Sequence, residues 1–452
     1  MAQLLTTEGL AEALERQDEA LIAEQVSGLQ AADLADFIRQ EGQNEAELAT
    51  RLLSHLPLSE RARAFGYLDT GLQARLAHDL SPTALARLLS KMEADERADL
   101  FKLVEEDVQE AALRQMASEE REDLRRLASY QEGTAGALMT SDYVAIAQGL
   151  TVKQALQAVR STAPDAETIY QVYIIDDERR LLGTVSLREL ILALPEQSMD
   201  DLMRSELVTV SVDEDQEQVA RQVSRYDLLA LPVLDTDQRL VGIVTHDDAM
   251  DVAAEEATED MHKAATIGKL SQGFGSSGLL ELYRKRIVWL VLLVFANIFS
   301  GLGIAYFEDT IAAYIVLVFF LPLLVDSSGN AGSQAATLMV RGLATGDVRL
   351  ADWGRHFGRE LLVAGSLGLT MALAVSVLGV IRGGPDIALV VASSMIVVVV
   401  MGSLIGMSLP FLLNRLGWDP ATASAPLVTS IADAVGVLIY FTIATMVLGL
   451  PA

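Results

Sequence analysis

Residues 427–446 read LVTSIADAVGVLIYFTIATM, an apolar run of helical length with one carboxylate, Asp433, inside it. About 20 apolar residues of helix cross a bilayer core, and an ionisable side chain in such a helix faces a bundle interior or a water-filled path. The C-terminal part must therefore fold so that Asp433 is turned away from lipid. Four more apolar runs precede it, at 287–306, 311–340, 361–381 and 387–413, and together they predict a five-helix membrane domain. Arg284, Lys285 and Arg286 precede the first run, and Arg341, Arg349, Arg355 and Arg359 fill the connection after the second. Because basic residues mark cytoplasmic loops, the first 270 residues are expected in the cytosol and the C-terminus outside, with Trp289, Trp353 and Trp418 at cytosolic span ends.

The second run is unusually polar. It carries Asp326, Ser327, Ser328, Gly329, Asn330, Gly332, Ser333 and Gln334 where a lipid-facing helix is apolar. Such groups are tolerated where they line a cavity or pack tightly against neighbours. Thr429, Ser430 and Asp433 fall at helical spacings in the last run, so a cation path between these two segments is expected.

Charge is unevenly spread. Of 62 acidic and 34 basic residues only ten and nine follow Leu270, leaving 52 acids and 25 bases in the first 270 positions. That excess excludes nucleic acid as an expected partner and favours cations. The chain has no cysteine, and its five histidines show no paired ligand spacing, which disfavours a zinc enzyme. The first twenty residues hold early acids and no signal-type apolar core, in keeping with a cytosolic N-terminal part.

From Leu56 an apolar residue recurs every twelve positions, at Leu68, Leu80, Met92, Val104 and Met116. Each block opens near a Pro, Ser or Asp suited to a helix N-cap and continues at helical spacing. Short helices of this kind bury a face only by stacking, so a superhelical all-α domain over 1–130 is expected; Glu60, Asp95 and Asp99 would lie on its exposed faces. A mixed strand and helix pattern then occurs twice: LMTSDYVAIAQGLTVKQALQAVR matches LMRSELVTVSVDEDQEQVARQVS, and VYIIDDERRLLGTVSLREL matches LPVLDTDQRLVGIVTHDDA. The copies resemble a tandem CBS pair, an α/β domain over 131–250. By that resemblance Thr245 and Asp248 are candidates for binding ATP or another adenine nucleotide, and Ser186 and Glu189 depart from the pattern. The acids from Asp247 through Asp248, Asp251, Glu255, Glu256 and Glu259 to Asp260 follow at spacings that gather most of them on one helix face. Oxygen ligands of that kind favour magnesium or calcium. An acidic connecting helix and hinge over 251–278 would lead into the membrane domain, 279–452.

The order of these parts, with GNAGSQAATLMVRGLAT in the second span and DPATASAPLVTSIADAVGVLIYF in the fifth, resembles the MgtE magnesium channel family over essentially the whole chain. The resemblance implies a homodimer in the bacterial cytoplasmic (inner) membrane with its pore at the subunit interface. Asp433 then matches the pore aspartate that holds hydrated Mg2+, with Asn330 in the second-helix motif. Cytosolic Mg2+ would close the pore by binding among Glu60, Asp95, Asp99, Asp215, Glu217, Asp227, Asp248, Asp251, Glu256, Glu259 and Asp260, the connecting helix acting as a plug. Two positions depart from the family pattern: Ala425, where some members have Asn, and Asp326, which either faces the pore as a second carboxylate able to widen selectivity towards cobalt, nickel or manganese, or caps or pairs within its own subunit. Other classes stay open at this point: a cation-coupled exchanger, a magnesium sensor without transport, and an intramembrane aspartyl protease using Asp326 and Asp433. The expected class is a transporter and not an enzyme.

Overall fold

In a computed structural model, which describes residues 7–41, 45–164, 166–268 and 278–449, the twelve-residue spacing is a spacing of helices. After α1 (Thr7–Glu15), α2 (Glu19–Gly28), α3 (Ala31–Glu41) and α4 (Glu45–Ser54) come α5 (Leu58–Gly66), α6 (Thr70–Asp79), α7 (Pro82–Leu89), α8 (Ala94–Leu103), α9 (Glu106–Leu113) and α10 (Ser118–Ala128). From α5 to α10 each helix starts twelve residues after the last. The recurring apolar residue lies two positions ahead of each start; it is buried at Leu56, Leu68, Met92, Val104 and Met116 and half-buried at Leu80. It is the anchor between helices. Each helix rests mainly on the next but one, α5 on α7 and α7 on α9, α6 on α8 and α8 on α10, so two rows of helices build the stack. Capping differs from expectation: among α5 to α10 only Ser81 accepts from a first-turn amide, that of Ala84, while Pro57, Asp69, Glu93, Glu105 and Ala117 make no side-chain cap bond. The repeat is held by buried anchors, and α2 to α3 already keep the same interval.

After α11 (Ala135–Leu138), the first α/β copy comprises β1 (Tyr143–Ala147), α12 (Val152–Thr162), β2 (Thr168–Ile175), β3 (Leu181–Ser186) and α13 (Leu187–Leu192). The second follows α14 (Met199–Leu202) with β4 (Val210–Ser211), α15 (Gln216–Arg225), β5 (Ala230–Leu234), β6 (Leu240–Thr245) and α16 (His246–Ala264). In each sheet the middle strand is parallel to the first and antiparallel to the third. The lead-in of each copy bridges the third strand of the other, Thr140 to Ile243 and Arg204 to Thr184. Glycine permits that approach: a Cβ at Gly242 would lie 2.4 Å from Met139 Sδ and 2.9 Å from the Thr140 carbonyl, and one at Gly183 would lie 2.7 Å from Met203 Sδ. The extra residues expected at 162–167 in the first copy fall between α12 and β2, with Asp165 outside the described residues. One continuous core runs from the helical stack into the second copy, through Leu124, Leu127, Met139, Val244, Ala249 and Val252. Arg126 caps this junction by donating to the Val241 carbonyl, 3.2 Å.

The chain divides into two compact units between Glu255 and Glu256. In the second, α17 (Leu279–Ala296), α18 (Ile298–Tyr306), α19 (Glu308–Ala313), α20 (Val316–Ala344), α21 (Trp353–Arg415) and α22 (Ala425–Leu448) follow the end of α16. Residues 269–277 of the expected hinge lie outside the described residues. Four helical runs among the described residues are long and apolar enough to cross a membrane: Leu279–Tyr306, Val316–Ala344, Leu350–Arg415 and Ala425–Leu448. The second run begins later than expected, since Tyr314 (φ −135°, ψ 74°) separates α19 from α20. The third is two arms: Gly384 (φ 81°, ψ −175°) is non-helical, a conformation glycine permits. A Cβ at Gly379 would lie 2.6 Å from Ala388 Cα, and one at Gly368 would lie 3.0 Å from Ile396 Cα. The arms therefore run antiparallel, and Ser403 on one donates to Glu360 on the other.

Candidate cation sites

The polar segment of α20 is buried by glycine contacts. A Cβ at Gly406 would fall 1.9 Å from the Gly332 carbonyl oxygen, and one at Gly402 would fall 2.3 Å from that of Ser328. Only bare backbone fits there, and close approach of this kind is the packing device of membrane helices. Ser328 meets the second arm of α21 by donating to the Val398 carbonyl, 2.9 Å. On the other side α20 meets α22: a Cβ at Gly329 would be 2.9 Å from Thr429 Cγ2 and 3.7 Å from Asp433 Oδ1. Asp433 is half-buried against this stretch, and the Asp326 carboxylate lies near enough to repel it. Asn330 is exposed and donates to Asp326, 3.0 Å. The Thr429 and Ser430 hydroxyls both donate to the Pro426 carbonyl at 3.0 and 2.9 Å, leaving lone pairs free. Asp326, Asn330 and Asp433 are thus brought to one α20–α22 seam, which offers oxygen atoms and, among the described residues, no ion pair to a basic side chain.

In the first unit, the start of α8 and the start of α16 form a second acidic site. Asp95 and Asp248 face one another there, joined by Glu93, Glu96, Glu167, Asp247 and Asp251. Burial, then repulsion from Asp248 and Glu167, holds the Asp95 carboxyl well above the usual carboxylate range. Burial and the neighbouring acids push Glu96 up to about 8, and burial pushes Glu167 up to about 7 against a hydrogen bond from Thr140. Asp248 rises to about 6 by burial, opposed by the hydroxyl of Thr245, which donates to it. Asp95 Oδ1 and Glu167 Oε2 are buried with no hydrogen-bond partner. Buried carboxylate oxygens without donors are costly, and a hard cation is the group that fits them. Among the described residues, though, no three acids or histidines converge tightly enough to hold an ion.

The two copies explain why this site is acidic. Glu189 and Asp248 occupy equivalent positions, but Glu189 is held at about 2 by the Ser186 hydroxyl and backbone and by Arg204, at 2.6 Å. Thr140 occupies the position equivalent to Arg204 in the bridging pattern, so Asp248 has no matching cation. Glu93, Glu96 and Glu167 escaped the sequence reading as ligands. The acid-dense block opening EADE at Glu93 was the available signal.

The other expected residues are dispersed. Asp99 pairs with Lys102 at 3.3 Å, which also bonds Glu132 at 2.6 Å. Asp215 caps α15 by accepting from the Glu217 amide, and Glu217 pairs with Arg221 at 2.7 Å. Asp227 takes a left-handed backbone, φ 51°, at the end of α15. Glu60 is exposed in the first turn of α5. In the second unit Glu256, Glu259 and Asp260 are half-buried on α16. Lys263 bonds both Glu259 at 2.5 Å and Asp419 at 2.6 Å, and these carboxylates raise its pKa against burial. A cavity of about 230 Å³ lies in the α/β pair, lined by Tyr173, Ser186, Glu189, Arg204, Ala230 and Pro232 among others.

Comparison with known proteins matches three family models: a divalent cation transporter model, MgtE, over 321–443; the MgtE intracellular N domain over 29–133; and the CBS domain over 135–196 and 199–255. The chain is 34% identical to the magnesium transporter MgtE of Bacillus subtilis over 93% of this chain and 92% of that one. It is 42% identical to the magnesium transporter MgtE of Thermus thermophilus over 73% of each. A solved structure of the cytosolic domain of the Mg2+ channel MgtE in complex with ATP is 36% identical, with a TM-score of 0.51, over 54% of this chain and 99% of that one.

Proposed function

The chain belongs to the MgtE family of divalent cation transporters, and we propose on that footing that it carries Mg2+ into the cell through a pore centred on Asp433. The observation that carries this reading is the α20–α22 seam, where Asp433 meets the glycine-bearing polar segment of α20 inside an otherwise apolar bundle. Magnesium dehydrates reluctantly, so Asp433, with the Asn330 carbonyl and the Thr429 hydroxyl, would hold it through its water shell. A homodimer doubles the carboxylates at the seam. Counting the arms of α21 separately gives five crossings of the cytoplasmic membrane, with the N-terminal unit in the cytosol, in line with the basic connections. Asp326, close to Asp433, favours a second reading of the same pore, one that also passes other divalent cations.

Gating is read from the first unit. Without divalent cation the acids of α8 and α16 repel; with Mg2+ the donorless oxygens of Asp95 and Glu167 and the carboxylate of Asp248 are bridged, and binding to only one arrangement shifts the population towards it. The movement is transmitted by the connecting helix α16. We place the adenine nucleotide at the cavity beside Tyr173, whose hydroxyl is buried without a partner; Arg204, paired with Glu189 at 2.6 Å, would have to turn from that carboxylate to meet a phosphate. The acids around Thr245 and Asp248 repel a free phosphate.

The test is Mg2+ flux into proteoliposomes, comparing wild type with Asp433→Ala and Asp433→Asn while Mg2+ is varied on the side of the N-terminal unit. Flux inhibited by that Mg2+ and lost in both variants supports the reading. Unchanged flux in the variants overturns the Asp433 site, and flux that needs a sodium or proton gradient overturns the channel.

A further inference from the structure

Away from the α20–α22 seam, the second unit holds a cavity of about 910 Å³. Its walls are Leu350, Ile405, Leu409 and Leu412, with Trp353 and Arg415 also lining it; α22 contributes Ile431 alone. A tryptophan beside an apolar wall marks the level of lipid headgroups. Arg415 ends the second arm of α21, and Arg349 and Arg355 flank the segment that contributes Leu350 and Trp353. These three arginines, with Arg341 and Arg359 nearby in the chain, are exposed and make no ion pair among the described residues. Of the nearby acids Asp347, Asp352, Glu360 and Asp419, none forms an ion pair with these arginines among the described residues, and Asp419 is bonded to Lys263. An apolar hollow with unneutralised cations at its end matches an amphiphile with an anionic head.

We propose that this cavity binds an anionic phospholipid of the surrounding bilayer, its acyl chain along Ile405, Leu409 and Leu412 and its phosphate at Arg415. Basic pockets between membrane helices at the cytoplasmic side are suited to such headgroups, and the volume is in the range of small-molecule sites. A second copy of the chain is a poorer occupant, because it would set one arginine-rich face against another. The inference rests on reading these helices as membrane spans but not on the pore.

The experiment is native mass spectrometry of the full-length protein in mild detergent, with palmitoyl-oleoyl phosphatidylglycerol or the phosphatidylcholine of the same chains added. Phosphatidylglycerol is expected to be retained over phosphatidylcholine. Arg415→Gln should lower its retention about fivefold, the attraction expected of one basic residue at a membrane surface, and Arg415→Lys should keep most of it. Ser408→Phe, which sets an aromatic ring inside the cavity, should lower the retention of both lipids while leaving the oligomer mass unchanged. Equal retention of the two lipids, or retention indifferent to Arg415→Gln, overturns the proposal, as does a change of oligomer mass in Ser408→Phe, which would assign the cavity to a second copy. Mg2+ flux is read on the same Arg415→Gln protein: lipid loss with flux intact supports the lipid site independently of the pore, and flux loss with lipid retained overturns the lipid assignment for Arg415.

Discussion

Asp248 is where the charge of the first unit can be changed by one atom. Its carboxyl rises from an ordinary 3.8 to about 6 through burial and the surrounding acids, which corresponds to about 3 kcal/mol disfavouring ionisation in the folded unit. An acid with a raised folded value costs nothing below about pH 4, where it is protonated folded or unfolded. It costs progressively more up to about pH 6 and its full amount above. Glu167 and Glu96, at about 7 and about 8, extend the same loss of stability towards pH 8. Without divalent cation the unit should therefore melt at a higher temperature at pH 5.5 than at pH 8. Asp248→Asn removes the charge while its side-chain oxygen still accepts from Thr245. At pH 8 in chelator the variant should gain about 1–3 kcal/mol, the upper figure being reduced by rearrangement of neighbouring acids, or roughly 2–4 °C per kcal/mol for a unit of this size. Added Mg2+ should stabilise wild type at pH 8 and stabilise the variant less. The assay is thermal unfolding of the full-length protein followed by a probe in the first unit, with and without Mg2+ across pH. A variant that melts at or below wild type at pH 8 in chelator would refute the reasoning.

Gly406→Ala places a methyl 1.9 Å from the Gly332 carbonyl; the forced separation of α20 from α21 should cost about 1–3 kcal/mol, read as a lower melting temperature of the second unit, and an unchanged melt would show that the helices are not so close. Gly242→Ala meets Met139 and the Thr140 carbonyl, so a similar loss is expected in the first unit, measured by increased proteolysis within 135–255. Lys263→Met leaves Glu259 and Asp419 facing one another without their shared cation; Mg2+ should then inhibit flux at lower concentration than in wild type, and a higher requirement would show that the lysine does not compete with the ion.

Much of the architecture could be read from sequence because it is periodic. The anchors from Leu56 to Met116 announce the helices to within two residues, and the doubled segments announce both sheets. The polar second span was legible as well, since polar residues at membrane depth need a reason, and glycine packing supplies it. The α8–α16 cluster was only half legible. Asp95 and Asp248 are 153 positions apart, and nothing in periodicity says that Glu93, Glu96 and Glu167 converge on them. Asp215 and Glu217 entered the regulatory set through the family resemblance alone; in the structure one caps α15 and the other pairs with Arg221. Side-chain capping was over-read in the repeats, where burial of one apolar residue per block does the work.

The crossed bridges of the α/β pair bear on how the chain is made. In the helical stack each helix meets its next-but-one neighbour about two dozen residues on, so packing can begin while the chain is still emerging from the ribosome. The lead-in at Thr140 has to wait for Ile243, more than a hundred residues later, and long-range pairings of this kind are slow to form. The first copy can pair its own three strands as soon as β3 has emerged, and Arg204 reaches that sheet soon after; it is the lead-in at Thr140, and with it the joining of the two copies, that waits for β6.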